Sequence, residues 1–189
     1  MNYQEFHNAI KNKPFTDLSL KELAFVHLNY HRDWLRVKGG TLCSNLSLVI
    51  REIRHAKFQT YSRSFLPVAA AFTVLDQIGF CYSRSDIPVF SNSDASPIKK
   101  SLYYFCGLGD NDRDTKALYA MRNSFLHTSS LLSKGKWSNQ PSYNFVFYRY
   151  LNILIQHPLS DWDGDFNTLK LEMTTYINPE RLIELTENR

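Results

Sequence analysis

Arg122, Asn123 and His127 interrupt the run Leu118-Tyr-Ala-Met-Arg-Asn-Ser-Phe-Leu-His127, which otherwise has the periodicity of an amphipathic helix. A guanidinium grips a phosphate with a planar two-pronged donor, and an imidazole moves protons near neutral pH. Together they suffice for cleavage of an RNA phosphodiester without a metal, and an amide at position 123 can orient either partner. The alternative is a surface histidine and a helix-end arginine in ordinary salt bridges.

On a helix, Leu118, Met121, Phe125 and Leu132 form a core stripe, while Asn123 and His127 are an i, i+4 pair on a polar face. Arg122 borders the apolar stripe, roughly 140° around the axis from His127. One helix is therefore not expected to aim both at the same phosphate. Two copies crossing at a two-fold axis are, because an isologous contact returns both residues of each chain to a shared groove. A homodimer with a composite site follows as an expectation.

The elements that must hold this helix are read from periodicity and caps. Asp17 or Ser19 opens a helix to about Lys38, with Leu20, Leu23, His27, Tyr30, Trp34 and Val37 on one stripe and Gly39-Gly40 as its stop. A second helix is expected from Ser44 to about Tyr61. Ser64 caps a third, Phe65 to about Phe80, apolar nearly all round and so the expected buried centre of a bundle. A polar loop from Ser83 to Pro97 is long enough to be mobile, a short helix follows from Ile98 to Cys106, and the motif helix covers about Asp112 to Leu132. Beyond Gly135 the period becomes alternating. Tyr143 to Tyr150 and Thr168 to Thr174 read as two strands, the latter with Leu169, Leu171 and Met173 facing one way, before Asn178-Pro179 starts a closing helix. The expected fold class is mainly α: an antiparallel helical bundle over about 17–134, with a small C-terminal β-hairpin and closing helix over about 143–189, in a single domain spanning 1–189.

Arg122-Asn123-x-x-x-His127 late in such a bundle resembles the signature of the HEPN superfamily, an Arg, a polar residue and then a His on one helix. The resemblance implies a bundle that dimerises around a composite ribonuclease site, with Arg122 and His127 as the catalytic pair and Asn123 in support. It also implies the chemistry: attack of the 2′-hydroxyl on the adjacent phosphorus, leaving a 2′,3′-cyclic phosphate and a 5′-hydroxyl. Many members are toxins, abortive-infection proteins or CRISPR-associated effectors, so a toxin or a defence protein against phage or plasmids is expected, with an antitoxin as a possible partner. The alternative from another class is an inactive HEPN-fold module that binds RNA, a nucleotide or a protein partner; an idle antitoxin or structural subunit is a third. Two features depart from the family pattern. Toxins paired with a nucleotidyltransferase often carry a Tyr two residues after the His, where this chain has Ser129, and the strands after Gly135 lie outside the minimal bundle.

The rest of the chain narrows the setting. Twenty-two Lys and Arg against 18 Asp and Glu is too small a surplus to coat a nucleic-acid backbone by bulk charge, so RNA contacts must be local. Arg51, Arg54, Lys57 and Arg63 could be such a track; a solvated helix face is the plainer reading. Cys43, Cys81 and Cys106 are odd in number and contain no C-x-x-C pair, which favours reduced thiols. Asp161, Asp163, Asp165 and Glu172 match a calcium loop in spacing, but Phe166 stands where glycine is needed. His27 and His31 are i, i+4 without the intervening Glu of a zinc hydrolase. No metal or cofactor is called for. The start, Met-Asn-Tyr-Gln-Glu-Phe-His, resembles no secretory leader and no apolar run approaches membrane-spanning length, so a cytoplasmic protein is expected.

Overall fold

The computed structural model describes residues 2–29, 34–136 and 140–187. The chain divides into two compact units, Met1–His55 and Ala56–Arg189.

In the N-terminal unit, α1 (Tyr3–Ile10) starts at a capping box in which Asn2 accepts from the Glu5 amide and Glu5 accepts from the Asn2 amide. A second capping box, Ser19 with Glu22, starts α2 (Leu20–Leu28). The chain then forms a ribbon of β1 (Trp34–Val37) and β2 (Gly40–Cys43), and α3 (Asn45–Ala56) follows. Phe6, Ile10, Leu18, Leu35 and Val37 form the core of this unit. α1 is an addition to the expected elements, and the helix expected from 17 or 19 to 38 is corrected. It ends at Leu28, and the Trp34 to Val37 part of its stripe is a strand whose alternate residues Leu35 and Val37 are buried. A few apolar residues satisfy either period, and here Gly39, at φ +87°, makes a hairpin turn rather than a helix stop. Tyr30 and His31 lie outside the described residues. α3 ends at Ala56, short of Tyr61, because Phe58 and Tyr61 are exposed and find no core to face.

The C-terminal unit packs α4 (Phe65–Cys81), α5 (Pro97–Cys106), α6 (Arg113–Thr128) and α7 (Pro179–Glu187) with a four-stranded sheet. The sheet consists of β3 (Leu132–Ser133), β4 (Tyr143–Phe147), β5 (Ile155–Gln156) and β6 (Thr174–Ile177), in the order β3-β4-β6-β5. One core joins Val68, Phe72 and Leu75 of α4, Ile98 and Leu102 of α5, Leu118, Met121 and Phe125 of α6, and Phe145 and Ile177 of the sheet. α4 and α5 approach closely at Gly79, where a Cβ would lie 1.8 Å from the Pro97 carbonyl oxygen, so any side chain there forces the two helices apart.

The fold is therefore mixed α/β, not a mainly-α bundle with one terminal hairpin. The two expected strands do not pair as a hairpin: β4 and β6 run parallel, flanked by β3 and β5 in antiparallel pairing. The long connection between them lays β5 on the far edge of β6, so the chain re-enters the sheet in the same direction as β4. The alternation at 168–174 is misleading, since Leu171 is 79% exposed and Leu171–Met173 form a 3₁₀ turn. The strand begins only at Thr174, where three of four residues are buried, as suits a central strand. α4 is not buried all round either; Leu66, Thr73 and Phe80 are exposed along one stripe. None of the three cysteines forms a disulfide among the described residues, and no helix among those residues is long and apolar enough to cross a membrane.

The Glu22 carboxyl is held down to about 2 from 4.5, first by the Lys13 ammonium at 2.7 Å and then by the Ser19 amide and hydroxyl. A depressed carboxylate stabilises the fold fully above its unfolded value, and that contribution fades as pH falls from about 4.5 through about 2. An NMR titration of the Glu22 carboxyl carbon should find its midpoint near 2, and Lys13→Ala should raise it; a midpoint near the ordinary value would refute the geometry.

Candidate active site at the end of the motif helix

α6 presents Arg122, Asn123 and His127 over its last turns and stops just after them. The helix was expected to reach Leu132; Ser129 ends it by entering the left-handed region at φ 53°, where its amide bonds back to Phe125 and Ser124 carbonyls. The chain leaves directly into β3, and Phe125 packs against Phe147 of β4 and Phe65 of α4. At the other end of α6, Asp114 accepts from His157 Nε2 at 2.6 Å, tying the first turn to the segment after β5. The helix is thus fastened at both ends, and His127 remains exposed between solvent and the Arg122 head group.

Arg122 carries the arrangement. Its Nε and Nη2 donate to Asp76 Oδ2 at 2.8 and 2.6 Å, with side-chain exposures of 23% for Arg122 and 19% for Asp76. Nη1 donates to Asn123 Oδ1 at 3.0 Å and lies 3.3 Å from His127 Nε2. One helix was not expected to aim both side chains at the same phosphate, yet within one chain the two head groups meet. The 140° separation describes the Cα positions, whereas the long arginine side chain is drawn round by Asp76 and meets an imidazole on the last, exposed turn.

A guanidinium has five N–H donors and no acceptor, so its contact with His127 is a hydrogen bond only when Nε2 carries a lone pair and the proton resides on Nδ1. Four donors are then engaged: Nε, both on Nη1 and one on Nη2. One Nη2 hydrogen is left over. Arg122, Asn123 and His127, chosen from the sequence, therefore come together in one cluster, and the structure adds Asp76. Asp76 had a signal in the sequence, being the single charged residue between Phe65 and Cys81. A lone carboxylate in so apolar a helix demands a buried partner. Its Oδ1 is buried without a hydrogen-bond partner among the described residues.

The other candidates fare differently. Arg51 and Arg54 are on α3, but the helix ends before Lys57 and Arg63, so the four do not form one helical row. Lys57 Nζ is held 2.8 Å from Glu187, which offsets its charge. In the calcium-like loop, Asp161 pairs with Arg113, while Asp163 Oδ1 accepts from the Asp165 amide and the Thr168 hydroxyl, bonds that hold the Asp163 carboxyl below its usual range. Asp165 Oδ1 accepts from Asn167. These carboxylates stitch a loop. Burial pushes His27 down, and its expected companion His31 is outside the described residues.

Compared with family models, with curated proteins and with solved structures, the chain matches none. The resemblance to HEPN proteins rests on the Arg122-Asn123-x-x-x-His127 sequence motif alone.

Because Asp76 and Arg122 neutralise each other where water is scarce, removing either strands a charge, at a cost of about 3 kcal/mol, the lower end for buried pairs given their partial exposure. Urea unfolding of Asp76→Ala, Arg122→Ala and the double variant should show the double variant losing clearly less than the two single losses together. Strict additivity would mean that the pair contributes no coupling.

Proposed function

We propose that this protein is a metal-independent endoribonuclease of HEPN type, acting as a dimer in growth control or in defence against phage or plasmids. The observation that carries the reading is the meeting of Arg122 Nη1 and His127 Nε2 at 3.3 Å at a solvent-facing helix end, beside Asn123 and braced by Asp76. The His127 lone pair suits it to take the proton of an RNA 2′-hydroxyl as that oxygen attacks the adjacent phosphorus. The P–O5′ bond breaks, the 5′-oxygen takes up a proton, and a 2′,3′-cyclic phosphate remains. Arg122 turns its Nη1 and free Nη2 hydrogens from the imidazole to the non-bridging oxygens, so a bound phosphate both uses the fork and releases Nε2. Asp76 positions the guanidinium and Asn123 limits its rotation.

A second copy is favoured by the outer stripe of α4. Leu66, Thr73 and Phe80 are spaced i, i+7, i+14 and point away from the core, with Leu66 63% and Phe80 82% exposed. Thr73 lies one turn before Asp76, so in this reading a two-fold contact along the stripe sets the Arg122–His127 clusters of both chains on one seam, one imidazole accepting the proton and the other supplying it. The competing reading, an inactive module that binds RNA, a nucleotide or a protein, fits the same cluster if the Arg122 Nη1 never leaves His127.

Purified protein should cleave RNA in EDTA to products ending in 2′,3′-cyclic phosphate. His127→Ala should lower the rate by about 10²- to 10⁴-fold with the unfolding midpoint unchanged, and Arg122→Lys should also fail because a point charge does not replace the fork. Intact RNA with the native protein, or equal cleavage by His127→Ala, would favour the binding module.

A further inference from the structure

The chain's positive charge is unevenly placed. Residues 1–55 hold eight Lys and Arg against five Asp and Glu, whereas 56–189 hold fourteen against thirteen. In the N-terminal unit the β1–β2 ribbon buries Leu35 and Val37 and turns Trp34 and Arg36 outward. The cross-strand partners of these two, Cys43 and Thr41, share that outer face, and Lys38 stands exposed at the turn. Trp34 is 65% exposed. Among the described residues neither Arg36 nor Lys38 is in an ion pair, and none of Trp34, Arg36, Lys38, Thr41 and Cys43 is a carboxylate. An indole on the same outward face of a ribbon as two cations that are in no ion pair among the described residues is a stacking surface with phosphate donors along the strand.

We infer that the outer face of this ribbon binds single-stranded RNA, Trp34 stacking on one base while Arg36 and Lys38 hold neighbouring phosphates. The inference rests on the ribonuclease reading for RNA as the natural polyanion, but concerns residues outside the Arg122–His127 cluster. Single strands are favoured over duplex because a stacked helix offers no free base face to an indole and the deep, narrow major groove of A-form RNA excludes side chains. They are favoured over a lipid surface because the face has one large apolar side chain among cations, a hydroxyl and a thiol, too little to anchor in a bilayer.

Binding of a labelled, unstructured oligoribonucleotide is measured by fluorescence anisotropy over a range of KCl, using the full chain with His127→Ala so that the RNA is not consumed. Trp34→Ala should weaken binding about tenfold, and Trp34→Phe should recover most of it by keeping a ring to stack. Arg36→Gln with Lys38→Gln should reduce the salt slope of log Kobs by about 1.4, the loss of two single-strand phosphate contacts. All these side chains are exposed, so circular dichroism should report an unchanged fold. If the parent binds RNA and the ribbon variants keep its affinity and slope, the ribbon assignment is overturned while the nuclease reading stands. If the variants weaken binding but the native protein leaves RNA intact, the ribbon assignment holds and the nuclease reading falls. Trp34-dependent sedimentation with phosphatidylserine vesicles and no RNA binding would also overturn it.

Discussion

The Arg122 guanidinium sits where water reaches it only in part, so the C-terminal unit must supply an anion at one point. Asp76 does so by offering a single carboxylate oxygen to two donors of the guanidinium. Leaving such a charge unpaired costs several kcal/mol, more than a typical hydrogen bond returns, so the pair ties α4 to α6 at this point beside their shared apolar core. It also decides which donors remain. With Nε and one Nη2 hydrogen engaged, the guanidinium plane points Nη1 toward Asn123 and His127.

That orientation is useful because α6 itself is held. The Asp114–His157 contact fixes its first turn, and the Phe65, Phe125 and Phe147 rings surround its last. A helix secured at both ends holds its side chains in a fixed relation. Ser129 completes the arrangement by ending the helix two residues after His127, so the imidazole lies on an exposed final turn and the chain is free to enter the sheet. A helix continued to Leu132 would have covered the same region with another turn of side chains.

The same economy appears at α4. Its inner side fills the core with Val68, Phe72 and Leu75, its flank carries Asp76, and its outer stripe of Leu66, Thr73 and Phe80 is unpartnered in a single chain. One helix thus provides packing, the counter-charge and an apolar surface. The N-terminal unit is built differently, around short capped helices and a ribbon whose alternation sends Leu35 and Val37 inward and Trp34 and Arg36 outward.

Local chemistry in the sequence determined the cores of α4, α5 and α6, the cap at Asn178 and the choice of Arg122, Asn123 and His127, because capping, helical period and residue type act over a few neighbours. It misled wherever one pattern fits two periods. Trp34 and Val37 continue a helical stripe as well as a strand, and Leu169, Leu171 and Met173 alternate without being buried as a strand. Strand direction is also a non-local property: nothing within 143–147 or 174–177 states that β4 and β6 run parallel, since that follows from where the connection carries the chain. Only the tertiary structure brought Asp76, 46 residues away, onto Arg122 and so drew the arginine head to His127. Angular position on a helix places Cα atoms, whereas the end of a long side chain goes where a distant charge pulls it.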